Sequence, residues 1–243
     1  MTYGVISDIH ANLDALEAVL AELAGVEAYL CLGDIVGYGP DPGACVERLR
    51  GLPRLACIAG NHDLAAIDKY DLNWFNPFAR QAIEWTSRQL SPENRDYLAR
   101  LELKREVAGA VLVHGALPEP MDYITTEEDA TAVFAEFEGA LCFVGHTHIA
   151  EYYRSRKESH LCERFSLWSG GEIEQEPELR YIVNPGAVGQ PRDNNPRASF
   201  GTYDSEAGTI EIHRVDYDIE SVQARMQLAG LPQYLIDRLA LGR

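Results

Sequence analysis

The sequence has few basic residues, and lysine is the scarcest of them. It carries 21 Lys and Arg against 38 Asp and Glu in 243 residues, a formal charge of −17, and its only lysines are Lys69, Lys104 and Lys157. Proteins that bind nucleic-acid backbones or anionic membranes by counterion release need clustered Lys and Arg. The arginines of this chain are scattered instead. We therefore expect neither an extended nucleic acid nor a membrane among its partners.

The sequence also lacks a long apolar run and a cysteine motif. No stretch approaches the roughly 18 uncharged residues of a membrane-spanning helix, and no basic segment followed by an apolar one opens the chain. The five cysteines are an odd number without a CxxC pair, and Cys31, Cys57 and Cys142 lie in apolar runs. A reduced cysteine behaves there as a small hydrophobic residue. We expect reduced thiols in a cytoplasmic protein, with no cysteine-based zinc site.

What is present is a repeated order of strand, loop and helix. Apolar runs at 3–6, 28–32 and 55–59 alternate with helical patterns, which predicts right-handed crossovers and a largely parallel sheet. Residues 64–100 are predicted to be a helical insertion after the third strand. After residue 148 the apolar period becomes two, which predicts a mostly antiparallel set of strands at 150–154, 160–168, 179–183, 198–204 and 209–215. A helical tail, 219–241, closes a single predicted domain over residues 1–243.

Six apolar runs end directly in small or metal-binding residues. These endings are Asp8-x-His10, Gly33-Asp34, Gly60-Asn61-His62-Asp63, His114-Gly115, Gly145-His146-Thr147-His148 and Asn184-Pro185-Gly186. The carboxyl ends of parallel strands meet at one crevice, so we expect these groups to lie together. Residues i and i+2 of an extended segment point to the same side, which lets Asp8 and His10 chelate one ion and His146 and His148 share a second region. Four imidazoles and three oxygen ligands fit two divalent cations about 3.5–4 Å apart with a bridging carboxylate.

Each of these residues also has a plainer explanation. An Asp-x-His after a strand is usually a turn or a cap, and Asn-Pro-Gly is most often only a turn. Five of the seven histidines lie at strand ends, however, which random placement would rarely produce. For the other two, His160 and His213, we favour a structural role. Three further residues stay open: Asn12 is a helix cap or a support for the site, Tyr38 touches substrate or packs, and Arg192 binds phosphate or pairs with a carboxylate.

The strand-end residues resemble the calcineurin-like metallophosphoesterase family, whose motifs D-x-H, G-D, G-N-H-D, H-G and G-H-T-H occur here in the family's order. The G-Y-G-P loop at 37–40 and the segment at 184–192 are similar to its small bacterial and archaeal phosphodiesterase-like branch. The resemblance implies a four-layer α/β/β/α sandwich. It also implies that Asp8, His10 and His148 bind one ion, that Asn61, His114 and His146 bind the other, and that Asp34 bridges them. Gly37 stands where the fuller pattern G-D-x-x-D has its second Asp, and Ala187 where N-P-G-S is common.

The resemblance implies hydrolysis of a phosphate ester by a hydroxide bridging two divalent ions, with manganese expected first and iron, zinc, nickel or cobalt as alternatives. The substrate class is a small phosphodiester, a phosphomonoester or a nucleotide. We expect His62 to give a proton to the leaving oxygen or to stabilise the transition state, Asp63 to orient His62 and keep it cationic, and Asn61 and Arg192 to bind the phosphate. The alternative is a non-catalytic metal-binding scaffold of the same fold. Whether the chain forms a homo-oligomer stays open.

Overall fold

The structure, a computed structural model, describes residues 1–157 and 161–243. The strands in this part of the chain are β1 (Thr2–Ile6), β2 (Ala28–Cys31), β3 (Leu55–Cys57), β4 (Lys104–Val107), β5 (Ala110–Val113), β6 (Leu141–Phe143), β7 (Ala150–Arg156), β8 (Cys162–Ser166), β9 (Gly171–Glu174), β10 (Leu179–Pro185), β11 (Ala198–Asp204) and β12 (Thr209–Val215). The helices are α1 (Leu13–Glu22), α2 (Pro42–Arg50), α3 (Asn61–Ala66), α4 (Pro77–Gln89), α5 (Pro92–Leu98), α6 (Glu127–Ala135), α7 (Ile219–Leu228) and α8 (Gln233–Leu239), with a 3₁₀ turn at Leu72–Trp74.

The strands form two six-stranded sheets, each with a parallel and an antiparallel part. The first has the order β3-β2-β1-β11-β12-β9, in which β1, β2 and β3 are parallel. The second has the order β4-β5-β6-β10-β7-β8, in which β5, β6 and β10 are parallel. The prediction of one separate antiparallel set after residue 148 is therefore wrong. Its strands are divided between both sheets, because each parallel part is extended at an edge, and β9 was not predicted at all.

The two sheets pack face to face and helices cover their outer faces. Alternate residues of β1 point to opposite sides, so that Val5 packs in the core between the sheets with Phe143 and Tyr181, while Ile6 packs against the helices. Helix α1 covers the first sheet and α6 covers the second, the latter through Phe134. This arrangement confirms the predicted four-layer α/β/β/α sandwich.

Helices occupy the predicted segment after the third strand. The first of them begins at Asn61, three residues before the predicted boundary, and α5 begins after Ser91, whose hydroxyl accepts from the Asn94 N–H at 3.2 Å. The predicted helical tail forms two helices, α7 and α8, separated at Gly230 (φ +70°). Among the described residues, no helix has the length and apolarity needed to span a bilayer.

Two histidines were expected to be structural. His213 lies in β12, where its Nε2 is 3.2 Å from Thr202 Oγ1 and 3.5 Å from a carboxylate oxygen of Glu211. His160 lies outside the described residues. All five cysteines are free thiols, and four of them are buried.

Candidate metal centre

The predicted ligand side chains come from the loops that follow five strands. Two groups of ligand atoms form there, each with all atoms within 4.8 Å of one another. One group is Asp8, His10, Asp34 and His148, and the other is Asp34, His114 and His146. Asp34 belongs to both groups, which is the position that a bridging ligand requires.

Asn61 is the remaining predicted ligand, and it lies at the start of α3 beside Asp34. Both of its neighbours in sequence contact that carboxylate: the backbone N–H of His62 donates to Asp34 Oδ1 at 2.9 Å, and a Cβ on Gly60 would lie only 2.0 Å from the same oxygen. A glycine is therefore required before Asn61, because any side chain would collide with Asp34.

The ligand-bearing loops have left-handed backbone at five of the seven ligand positions. These positions are Asp8 (φ +53°), His10 (φ +48°), Asp34 (φ +52°), His146 (φ +67°) and His148 (φ +61°). Such angles are uncommon for residues with a Cβ and cluster at functional sites. The expectation that Asp8 and His10 converge because they alternate along an extended segment is therefore wrong. Their side chains meet because the chain turns tightly after β1 ends.

Three of the histidines are held by backbone carbonyl groups. The contacts are His10 Nδ1 to Val36 O at 3.1 Å, His114 Nδ1 to Leu32 O at 2.7 Å and His148 Nδ1 to Gln190 O at 2.6 Å. A histidine that donates through Nδ1 keeps Nε2 free as a ligand atom. The Nε2 atoms indeed face the carboxylates, with His148 3.3 Å from Asp8 Oδ1 and His114 3.4 Å from Asp34 Oδ2.

The donor set fits divalent cations. Asn61 Oδ1, His114 Nε2 and His146 Nε2 are buried and have no hydrogen-bond partner among the described residues. An unsatisfied buried polar atom costs about 1–3 kcal/mol, so three of them in one cluster need an explanation. A mixture of imidazole and oxygen ligands is the set that manganese, iron, zinc, nickel and cobalt accept.

The charges in the cluster also favour cation binding. Burial lowers the pKa of His10 and His148, and lowers that of His146 to about 3, so that these rings are neutral ligands near pH 7. Burial opposes ionisation of both carboxyl groups. The imidazole of His148 nevertheless holds the pKa of Asp8 below its usual range, and the imidazole of His114 holds the pKa of Asp34 below its usual range. Burial opposes protonation of His114, but Asp34 raises the pKa of this ring to about 10, so the cluster presents two carboxylates beside three neutral rings and one cationic ring. Cation binding at His114 would release this proton.

Comparison with known proteins agrees with this geometry. Residues 1–208 match the calcineurin-like phosphoesterase superfamily domain. The chain belongs to this superfamily. It is 38% identical over 247 residues to an uncharacterized protein of Methanocaldococcus jannaschii, covering 98% of this chain and 97% of that protein. It is 43% identical to a metallophosphoesterase from Sphaerobacter thermophilus of known crystal structure, with a TM-score of 0.88 and coverage of 100% and 99%.

A further solved structure shows the fold alone. A hypothetical protein of Pyrococcus horikoshii superposes with a TM-score of 0.80 at 21% identity, covering 100% of this chain and 98% of that chain. The family match confirms the resemblance found in the sequence. Members of the calcineurin-like family generally bind two divalent metals, and membership supports phosphoesterase hydrolase activity in general.

His62 lies beside the ligand cluster of this calcineurin-like chain and is enclosed by aromatic rings. Its ring centroid is 4.3 Å from that of Tyr38 and 4.9 Å from that of Phe75, which meets it edge-on at 78°. Its Nδ1 is buried without a hydrogen-bond partner in the described residues. Burial lowers the pKa of His62 to about 4, so the ring is neutral near pH 7.

Asp63 does not have the predicted role. Its two carboxylate oxygens accept from the backbone N–H groups of Val36 at 3.1 Å and Gly60 at 3.0 Å. Within the described part of the chain, neither oxygen bonds to the His62 ring, so the expectation that Asp63 orients His62 and keeps it cationic is wrong. Asp63 instead joins the loop after Asp34 to the start of α3, and so fixes the backbone around the ligands.

Arg192 is placed beside the site, whereas Arg197 is not. The backbone N–H of Arg192 donates to His148 O at 3.1 Å, its Nη2 donates to Gln190 Oε1 at 3.1 Å, and its guanidinium carbon is 5.5 Å from the centroid of Tyr38. No carboxylate of the described chain forms an ion pair with Arg192, and its Nε is buried without a partner there. Arg197 bonds to Asn195 instead.

Sequence reasoning missed two aromatic residues of the site. Tyr123 stacks on His146 with ring centroids 3.8 Å apart and an interplanar angle of 22°, and Phe75 contacts His62. Both lie in irregular segments without a ligand pattern. The only available signal was an aromatic residue in the loop after the ligand His114.

The predicted cap Asn12 does accept from the Ala15 N–H at 3.1 Å, and it also donates to Gly189 O at 2.9 Å.

Proposed function

We propose that this protein hydrolyses a small phosphate ester at a centre of two divalent cations. The observation that carries the proposal is the pair of ligand groups that share Asp34, with three buried ligand atoms that lack a partner among the described residues. Asp8, His10 and His148 would hold one cation, and Asn61, His114 and His146 the other. Bound there, two cations would lower the pKa of an attacking water and offset charge on the phosphoryl oxygens.

The remaining polar groups of the site suit a phosphate. Among the described residues no carboxylate engages the guanidinium of Arg192, and such a group can bind two phosphate oxygens at once. Its charge adds to that of the cations, so a local positive field would form inside a protein of net charge −17. Asn61 could contact the same phosphate through its amide nitrogen.

His62 is the group best suited to the leaving oxygen. Its ring is neutral near pH 7 and is clamped between Tyr38 and Phe75. A neutral imidazole can donate a hydrogen bond from its N–H to the leaving oxygen and so stabilise the charge that develops there as the ester bond breaks, and a positioned donor of this kind contributes about 10²–10³-fold to a rate.

We propose a small substrate because the protein carries a net charge of −17. A long nucleic acid would have to approach an acidic surface with scattered arginines, whereas a nucleotide, a small phosphodiester or a phosphomonoester needs only the centre itself. Manganese is the first metal to test. A cytoplasmic location stays a prediction.

The test is hydrolysis of an aryl phosphodiester and of the matching monoester after metal removal and reloading with Mn²⁺. We expect two Mn²⁺ per chain and turnover of at least one ester that a chelator abolishes. The Asp34→Asn variant should lose both the binding of two Mn²⁺ and the turnover. A chain that binds two metals yet hydrolyses neither ester with any divalent ion would overturn the proposal and favour the scaffold.

A further inference from the structure

One aromatic residue of the site is also the centre of a separate apolar cluster. Tyr38 is buried, and its ring lies 4.5 Å from that of His10 and 4.3 Å from that of His62. Arg192 covers the same ring at 5.5 Å. Tyr38 has left-handed backbone (φ +58°), a conformation that a residue with a Cβ keeps only when its surroundings impose it.

The surroundings of Tyr38 come from the C-terminal helices. Its apolar cluster contains Val222 and Met226 of α7 and Leu235 and Leu239 of α8. These helices lie beyond residue 208, where the match to the superfamily domain ends. Of this cluster, Val222, Met226 and Leu239 also line the small space between Tyr38 and His10.

A polar contact joins α7 to the same loop. Arg225 of α7 forms ion pairs with Asp14 of α1 and with Asp41, which directly follows the loop at 37–40. The backbone of that loop is in turn bonded to the first ligand segment, since Gly39 N–H donates to His10 O at 3.0 Å and Asp41 N–H donates to Ala11 O at 3.0 Å. The helix pair therefore contacts the loop by apolar packing and by ion pairing.

We propose that α7 and α8 act through Tyr38 as a clamp that positions the metal ligand His10 and the imidazole of His62. Tyr38 is a positioning residue in this arrangement, because its ring fills the space behind both imidazoles. The part of the inference that concerns turnover rests on the proposed function, and the part that concerns His10 does not. Loss of packing behind Tyr38 would let both rings move, and small displacements of positioned groups are costly in catalysis and in metal binding.

The test compares two leucine-to-alanine variants of α8 in the full chain. Leu239 and Leu235 are equally buried (3% and 1% exposed), but only Leu239 lines the space beside Tyr38 and His10. Both variants should lower the melting temperature to a similar extent. Only Leu239→Ala should weaken one of the two Mn²⁺ sites, by about tenfold in titration calorimetry. Only Leu239→Ala should also lower kcat about tenfold for an ester with a poor leaving group, with KM little changed.

Equal effects of the two variants on Mn²⁺ affinity and on kcat would overturn the proposal, because α8 would then contribute stability alone. If Leu239→Ala does not fold, Tyr38→Phe and Tyr38→Leu decide the matter. The phenylalanine keeps the ring and should retain Mn²⁺ affinity within about threefold, whereas the leucine should lose about tenfold; equal losses would contradict the clamp. If the unaltered chain binds two Mn²⁺ but hydrolyses no ester, the proposed function fails, while the Mn²⁺ comparison still tests this inference.

Discussion

A Cβ atom at Gly37 would lie only 2.4 Å from Nδ1 of His62. Gly37 has φ +90°, and it stands where the fuller family pattern has a second Asp. The contact explains this departure, because the imidazole occupies the space that an aspartate side chain would need. In this chain the loop at 37–40 therefore supports His62 with its backbone.

The first prediction concerns this contact. Gly37→Ala should push the His62 ring aside and lower kcat by about tenfold or more, since small misplacements of reacting groups are costly. Steady-state kinetics with a poor-leaving-group ester measures the effect. Gly109→Ala is the matched control, because Gly109 also has positive φ (+78°) but no described residue lies within 4 Å of the added Cβ. Both variants should lose at least about 1 kcal/mol of stability, because alanine is strained at positive φ, and equal kcat values would contradict the prediction.

The second prediction concerns His62 as a hydrogen-bond donor to the leaving oxygen. His62→Gln should bind two Mn²⁺ as the unaltered chain does, because His62 lies in neither ligand group. Its kcat should fall about 10²–10³-fold for esters with poor leaving groups and much less for activated aryl esters. A series of esters with graded leaving-group pKa values measures this difference. Full turnover of the poorest leaving groups would rule out the assignment.

The third prediction concerns the shared ligand. Asp34→Asn should weaken both Mn²⁺ sites, whereas Asp8→Asn should weaken one, because Asp34 belongs to both ligand groups and Asp8 to one. Titration calorimetry and thermal melting with added Mn²⁺ measure this. A ligand at 100 times its Kd stabilises a protein by about 2.7 kcal/mol per site, so the loss of a site is readily detected. A loss of only one site in Asp34→Asn would argue against bridging.

The fourth prediction concerns Tyr123, which stacks on His146. Tyr123→Leu should weaken Mn²⁺ binding at the site that contains His146 by about two- to tenfold, since an aromatic pair contributes about 0.5–1.5 kcal/mol beyond its buried area. Tyr152→Leu is the control, because Tyr152 stacks on Phe165, with ring centroids 4.7 Å apart, in the β7–β8 pair. If Tyr152→Leu has the same effect as Tyr123→Leu, the stacking has no specific role.

The fifth prediction concerns stability and pH. Buried Glu151 accepts from Arg164 at 2.7 Å and from the Tyr153 hydroxyl at 3.0 Å, and burial raises the Glu151 pKa above its ordinary 4.5 even though Arg164 lowers it. The folded state therefore takes up this proton before the unfolded state does, so the contribution of Glu151 to stability increases as the pH falls from neutral through the raised pKa toward 4.5.

Glu151→Gln lacks this titration. Denaturant unfolding at several pH values should show the unaltered chain gaining stability relative to the variant on acidification. At neutral pH the variant should lose about 1–2 kcal/mol, less than for a fully buried pair, because Arg164 is partly exposed. Glu163→Gln removes an exposed pair with Arg154 and should change stability by less than about 1 kcal/mol. If the stability difference between the unaltered chain and Glu151→Gln becomes smaller on acidification, folding does not raise the pKa of Glu151 and the prediction is wrong.

Much of the candidate metal centre could be predicted from the sequence, because residues of metal-binding types stand directly after apolar runs. Asp8, Asp34 and His114 each follow a short apolar run, and the ends of parallel strands meet at one crevice whatever the loops do. The distribution of the antiparallel strands could not be read in this way. A strand such as β11 has the same alternating pattern whichever edge it joins, and its pairing with β1 depends on contacts across nearly 200 residues of chain.

The sequence alone determined the candidate ligand types and their order, because both can be read from local pattern, and its resemblance to the calcineurin-like family implied the layered fold. Only the tertiary structure decided how the site is supported. Asp63 caps backbone N–H groups and does not hold His62, Tyr123 covers His146, and Tyr38 joins the C-terminal helices to His10. These contacts join segments that are far apart in the chain. Which side chains meet there depends on how the layers pack, and local sequence patterns do not determine that packing.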